Sequence, residues 1–112
     1  DEIGLNVEDC LNLKAHKRVE RNQKLAQDAK AFHGFVCQAC NFDFEKEYGA
    51  IGREFIEAHH LTPIKELRGT KTKLDPKTDF KVLCSNCHRM IHKTEFVDSV
   101  EEFRANYVVN PS

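Results

Sequence analysis

The sequence predicts a small α+β domain in which two short strands and several helices close around a metal staple. Three observations carry that reading. Cys37-x-x-Cys40 and Cys84-x-x-Cys87 are two CxxC pairs with 43 residues between them. Two β-prone segments, 53–60 and 79–84, lie within that interval or run up to its end. Segments with helical apolar spacing flank it on both sides. At 112 residues, with 31% charged residues and no Trp, the chain is one domain with a lean core, of the kind that relies on a metal or on disulfides.

The elements follow in order. Residues 1 to 12 mix apolar and acidic side chains without a period and are expected to be a lead-in or linker, with 13–112 as the folded domain. LKAHKRVERNQKLAQDAKAF, 13–32, has the spacing of an amphipathic helix. Its apolar stripe is Ala15, Val19, Ala26 and Ala29, and Lys14, Lys17, Arg18 and Arg21 gather on a neighbouring face. Gly34 suits the position after the last turn. FVCQACNFDF reads as a short strand entering a metal knuckle, and Tyr48-Gly49 marks a polar turn. REFIEAHH (53–60) has strand character, with Phe55 and Ile56 adjacent instead of alternating. Pro63, Gly69 and Pro76 punctuate a long loop. DFKVLC (79–84) is the second strand and SNCHRMIH starts a helix. In the tail, Ser99 and Glu102 form a capping box, and Val100, Phe103 and Tyr107 share a face.

Charge narrows the partners. The net charge is only −1, but its distribution is uneven. Residues 14–30 carry six Lys or Arg against Glu20 and Asp28, and 61–78 carry five, including Lys65, Lys71 and Lys73, against Glu66 and Asp75. Such patches can gather a polyanion on one face despite a near-neutral total. No apolar run is long enough to span a bilayer and no signal peptide is evident, so no membrane partner and a cytoplasmic location are expected. Five cysteines, four of them in CxxC pairs, argue for reduced metal thiolates over a disulfide framework. Cys10 is left over and reads as an incidental thiol.

Cys37, Cys40, Cys84 and Cys87 have the spacing of two knuckles closing on one zinc. Four thiolates fill a tetrahedron and leave no position for chemistry, so such an ion is structural. Inside this clamp lie further ligands. His88 and His92 are four residues apart on the helix after the second strand, on one face, where they can share an ion. His59 and His60 end the first strand. Adjacent strand residues point to opposite faces, so one of the pair can ligate while its neighbour faces outward toward a substrate.

Taken together, C-x-x-C, HHLTPI and DFKVLCSNCHRMIH resemble the HNH endonucleases, over roughly residues 33–93, and in particular their restriction-type branch. The resemblance implies a ββα-metal core at about 53–93 with flanking helices, acting on DNA. It implies His60 as general base, His59 and His88 as ligands of a catalytic divalent ion, and His92 as an additional ligand. The family's middle Asn, which orients the base, is replaced here. Counting back nine positions from His88 reaches Asp79, whose carboxylate can hold the other ring nitrogen of a base. Asn86, inside the second knuckle, is the alternative.

The expected chemistry is phosphodiester hydrolysis leaving a 5′-phosphate and a 3′-hydroxyl. The expected cofactors are a structural Zn2+ and a catalytic ion, Mg2+, Mn2+, Ni2+ or Zn2+, with an all-imidazole site favouring the later transition metals. Lys14, Lys17, Arg18, Arg21, Lys65, Lys71 and Lys73 are the candidate phosphate contacts. No sequence reader such as a helix-turn-helix is evident, so specificity is expected from an additional recognition domain of a longer parent protein. A zinc-knuckle nucleic-acid-binding module without cleavage is the alternative reading.

Overall fold

A computed structural model describes residues 22–61 and 74–112. Among the described residues, helix α1 (Gln23–His33) comes first. It starts where Asn22 turns extended and its side-chain oxygen accepts the Leu25 amide at 3.1 Å. Asn is among the best N-caps, so it interrupts the helix expected to run unbroken from residue 13. Lys14, Lys17, Arg18 and Arg21 lie outside the described residues, as do Lys65, Lys71 and Lys73. The later part of the expected apolar stripe packs as foreseen. Ala29 is fully buried, with Leu25 and Ala26 beside it, against Ala58 and Phe80 of the sheet.

The segment after α1 is a knuckle, with a single bridge, Val36 to Asp43, in place of the expected strand. Asn41, at φ 68°, turns the chain there. Asp43 then caps a short helix, α2 (Phe44–Tyr48), which was not expected from the sequence and ends at the expected Tyr48-Gly49 turn. A 3-10 turn, Gly49–Gly52, follows it. Gly52 packs so tightly on α2 that a Cβ would run into the Phe44 carbonyl, so only glycine fits.

Strands β1 (Glu57–His60) and β2 (Phe80–Leu83) pair antiparallel, with Glu57 opposite Leu83 and His60 opposite Phe80. The first strand is shorter than expected because Arg53 and Glu54 turn, Glu54 at φ 60°. Helix α3 (Ser85–Ile91) starts directly after β2, and α4 (Val100–Tyr107) closes the domain. Ser99 caps α4 by accepting the Glu102 amide at 3.3 Å. Of the three residues expected on its packed face, Val100 and Phe103 are buried and Tyr107 is exposed. The main core joins them to Ile56, Val82, Leu83, Ile91 and three of the knuckle cysteines. The result is an α+β domain consistent with a ββα-metal core, β1–β2–α3, with flanking helices. Among the described residues no helix is long and apolar enough to cross a membrane.

Candidate metal centres and active site

Among the described residues, two clusters of ligating side chains meet at α3. The first is the four cysteines. Gln38 brings the knuckles together. Its amide donates to the Val82 carbonyl at 3.0 Å, and its side-chain oxygen accepts the Val82 amide at 2.8 Å. The first knuckle is thereby stitched to the edge of the strand that runs into Cys84. Within each knuckle the leading sulfur accepts an amide three residues on, Cys40 to Cys37 and Cys87 to Cys84, each at 3.4 Å. Cys84 is also the N-cap of α3, so the helix start and the metal knuckle are one feature.

The spacing fits a tetrahedral ion. With Zn–S bonds near 2.3 Å, the edge of a sulfur tetrahedron is about 3.8 Å. Cys40 Sγ and Cys84 Sγ are 3.7 Å apart, far beyond a disulfide bond, and all four sulfurs lie within 4.8 Å of one another. The protonation pattern agrees. Hydrogen bonds from the Cys84 and Cys87 thiols hold Cys37 well below the usual thiol range. The same bond to Cys37 pushes Cys84 up to about 11, and Cys87 is raised mainly by its own bond to Cys37. Crowded sulfurs cannot all ionise together unless a cation joins them, and a divalent ion relieves that conflict.

The second cluster is His59, His88 and His92. One nitrogen from each lies within 4.8 Å of the other two, a spacing that one ion can bridge. The ring centroids form a near-equilateral triangle of 5.3, 5.1 and 5.3 Å. β1 supplies one ring, and α3 with its C-cap supplies two from successive turns. The His59 Nε2–H donates to the Val97 carbonyl at 2.7 Å. A carbonyl can only accept, so Nδ1 is the nitrogen of His59 left with a lone pair. On α3, His88 Nδ1 meets Glu57 Oε1 at 2.8 Å, and Ser85 Oγ donates to Glu57 Oε2 at 2.7 Å. Glu57 and Ser85 were not singled out from the sequence, nor was Val97. For Glu57 a signal existed, since it stands two residues before His59 and strand alternation puts both on one face.

His60 lies on the opposite face of β1 from His59, beside Phe80, with ring centroids 5.2 Å apart. The expectation that one of the pair faces outward is corrected here, because both are fully buried. Both faces of this strand end are covered, the His60 face being the one that carries Ala58 and Phe80 under α1. Asp79 stands beside this strand end through its backbone. Its carbonyl accepts the Leu61 amide at 2.9 Å, while its Oδ2 accepts the Asp75 amide at 2.7 Å and ties the turn that leads into β2. Asn86 is exposed on the first turn of α3.

A strand pair feeding a helix, with a closed thiol centre on one side and a three-imidazole centre on the other, defines a ββα-metal protein. Residues 37–94, just over half of the chain, match the HNH endonuclease family, and the chain belongs to that family. Membership supports a nuclease-type function. No curated protein and no solved structure matches the chain.

Proposed function

We propose that this chain is a metal-dependent DNA endonuclease, the catalytic part of a restriction-type enzyme, that hydrolyses phosphodiester bonds to a 5′-phosphate and a 3′-hydroxyl. The observation that carries the reading is the triangle of His59, His88 and His92, separate from the four cysteines yet sharing α3 with them. A closed thiolate site needs no such second set of ligands. In this reading His59 Nδ1, His88 and His92 hold a divalent ion, and the four cysteines hold a structural zinc. When bound, the divalent ion stabilises negative charge on the phosphate and leaving oxygen. His60 takes the proton of the attacking water. In this reading Asp79 is the residue that orients His60; its carboxylate here accepts the Asp75 amide, and its backbone carbonyl fixes the end of β1 through the Leu61 amide. Lys14, Lys17, Arg18, Arg21, Lys65, Lys71 and Lys73 supply phosphate contacts, and a further domain of a longer protein supplies sequence recognition.

One observation favours a second reading. A general base must meet water, and His60 is fully buried. A module that kept the fold and bound nucleic acid without cutting it would tolerate that. Plasmid cleavage with and without Mg2+, Mn2+, Ni2+ or Zn2+, beside DNA-binding measurements on the same protein, decides between the two. Metal-dependent nicking or linearisation that His60→Ala removes supports the nuclease. Tight DNA binding without cleavage under any of these ions supports the module.

A further inference from the structure

Glu57 reaches across from β1 to two residues of α3 at once. Its Oε1 is 2.8 Å from His88 Nδ1 and its Oε2 receives the Ser85 hydroxyl at 2.7 Å. Ser85 and His88 are three apart on the helix, so one carboxylate spans a single turn of it. The His88 side chain is 14% exposed and that of Glu57 38%, so the pair is partly shielded from water. An ionised carboxylate has no proton to give, so it can only accept, from the Ser85 hydroxyl on one oxygen and from the His88 ring on the other. That places a proton of His88 on Nδ1, and in the neutral ring a metal requires it leaves the lone pair on Nε2, the nitrogen on the far side of the ring from Glu57.

We propose that Glu57 is a positioning residue for the three-imidazole centre. It holds His88 in the Nδ1–H tautomer, stops the ring from rotating, and strengthens Nε2 as a donor to a divalent ion. Ser85 holds the carboxylate in place for that task. The inference rests on the reading that His59, His88 and His92 hold a metal. It adds that the two anchored ligands present opposite nitrogens. His59 donates from Nε2 to Val97 and ligates through Nδ1, while His88 donates from Nδ1 to Glu57 and ligates through Nε2. Partners of this kind commonly contribute about tenfold to a hundredfold in metal affinity.

The test is a calorimetric titration of the zinc-loaded protein with Ni2+, run on the unaltered chain and on Glu57→Gln, Glu57→Ala and Ser85→Ala. Glu57→Ala is expected to weaken Ni2+ binding about tenfold to a hundredfold. Glu57→Gln keeps the shape and a neutral acceptor but loses the charge, so it is expected to weaken binding several-fold while keeping the zinc content and melting temperature. Ser85→Ala is expected to fall between the unaltered chain and Glu57→Gln. Nitrogen-15 NMR of the metal-free imidazole centre gives a second readout, a protonated Nδ1 on His88 that reverts to the common Nε2–H form in Glu57→Ala. If Glu57→Gln and Glu57→Ala bind Ni2+ as the unaltered chain does, or if His88 carries its proton on Nε2 throughout, the proposal is overturned with the three-histidine reading intact. If the unaltered chain takes up no second ion, the three-histidine reading itself falls and this proposal falls with it. Should Glu57→Ala not fold, Glu57→Gln decides alone.

Discussion

The thiol centre and the imidazole centre share one helix, yet they are built for different ends. Cys84 and Cys87 sit at the start of α3 and His88 and His92 at its end, so seven residues of helix serve both. The thiols lie within the main apolar core, beside Leu83, Ile91, Val100 and Phe103. They come as two pairs that lock distant parts of the chain together, and their four ligands saturate an ion. The imidazoles come as three, one of them from the strand, and two of them are hydrogen-bonded to groups behind them, His88 to Glu57 and His59 to the Val97 carbonyl. Three protein ligands leave room for a phosphate oxygen or water, which a closed site does not. Saturation makes one centre a staple, and incompleteness makes the other a candidate for chemistry.

The largest effect expected from breaking this contrast is on the thiol side. Cys37→Ser or Cys84→Ser should abolish zinc binding and with it the fold, because structural zinc contributes on the order of 10 kcal/mol in small domains. Zinc per chain by elemental analysis, beside circular dichroism, checks this. A folded, zinc-free variant would show that the apolar core suffices and that the cysteines are not a staple.

The imidazole side should lose function without losing structure. His88→Ala is expected to remove binding of the second ion and to reduce cleavage by at least about a hundredfold, as loss of several kcal/mol of charge stabilisation implies. The tightly bound zinc should stay at one per chain. If His88→Ala releases that zinc, a single ion spans residues 84–92 and the division into two centres is wrong.

His60 sharpens the comparison from the other face of β1. His60→Ala should lower cleavage by about 10²–10⁴-fold, the usual range for a general base, with both ions retained. Because the ring is fully buried against Phe80, the change should also cost about 1–3 kcal/mol of stability, read as a lower melting temperature. A stability loss with unchanged cleavage would make His60 a packing residue and leave the imidazole centre to act without it.

The two centres were also unequally legible in the sequence. A CxxC turn brings its own two sulfurs together by local geometry, so spacing alone was enough to name the four cysteines. His88 and His92 were legible for the same reason, being one helical turn apart. What joins the elements is tertiary, and spacing carries no trace of it. The Gln38 bond to Val82, the Val97 carbonyl behind His59 and the Glu57 carboxylate behind His88 all cross between elements distant in the chain. Local errors had local causes. Asn22 reads as one polar residue in a helical pattern but caps the helix. The Asp43 cap starts α2 ahead of the Tyr48-Gly49 turn, in a span where no helix was expected. Whether His60 faced water depended on what packs over a strand end, which no period reveals.

The smallest predicted effect touches one centre only. Ser99 caps α4 by accepting the Glu102 amide, and the bond from its own amide to the Phe96 carbonyl closes the turn that contains Val97. Ser99→Ala removes the cap and should cost about 1 kcal/mol. Val97 is the anchor of His59, so loosening this turn should also let that ring wander and weaken Ni2+ binding by a few-fold. The thiol zinc has its own anchors in Gln38 and in the amides of Cys40 and Cys87, and it should not respond. A melting curve and a Ni2+ titration on the zinc-loaded variant measure the two effects separately. Lower melting temperature with unchanged Ni2+ affinity would mean that the Val97 carbonyl only packs against His59 and does not steer it. A loss of zinc instead would mean that α4 supports the staple as much as the imidazoles, and that the two centres share more than one helix.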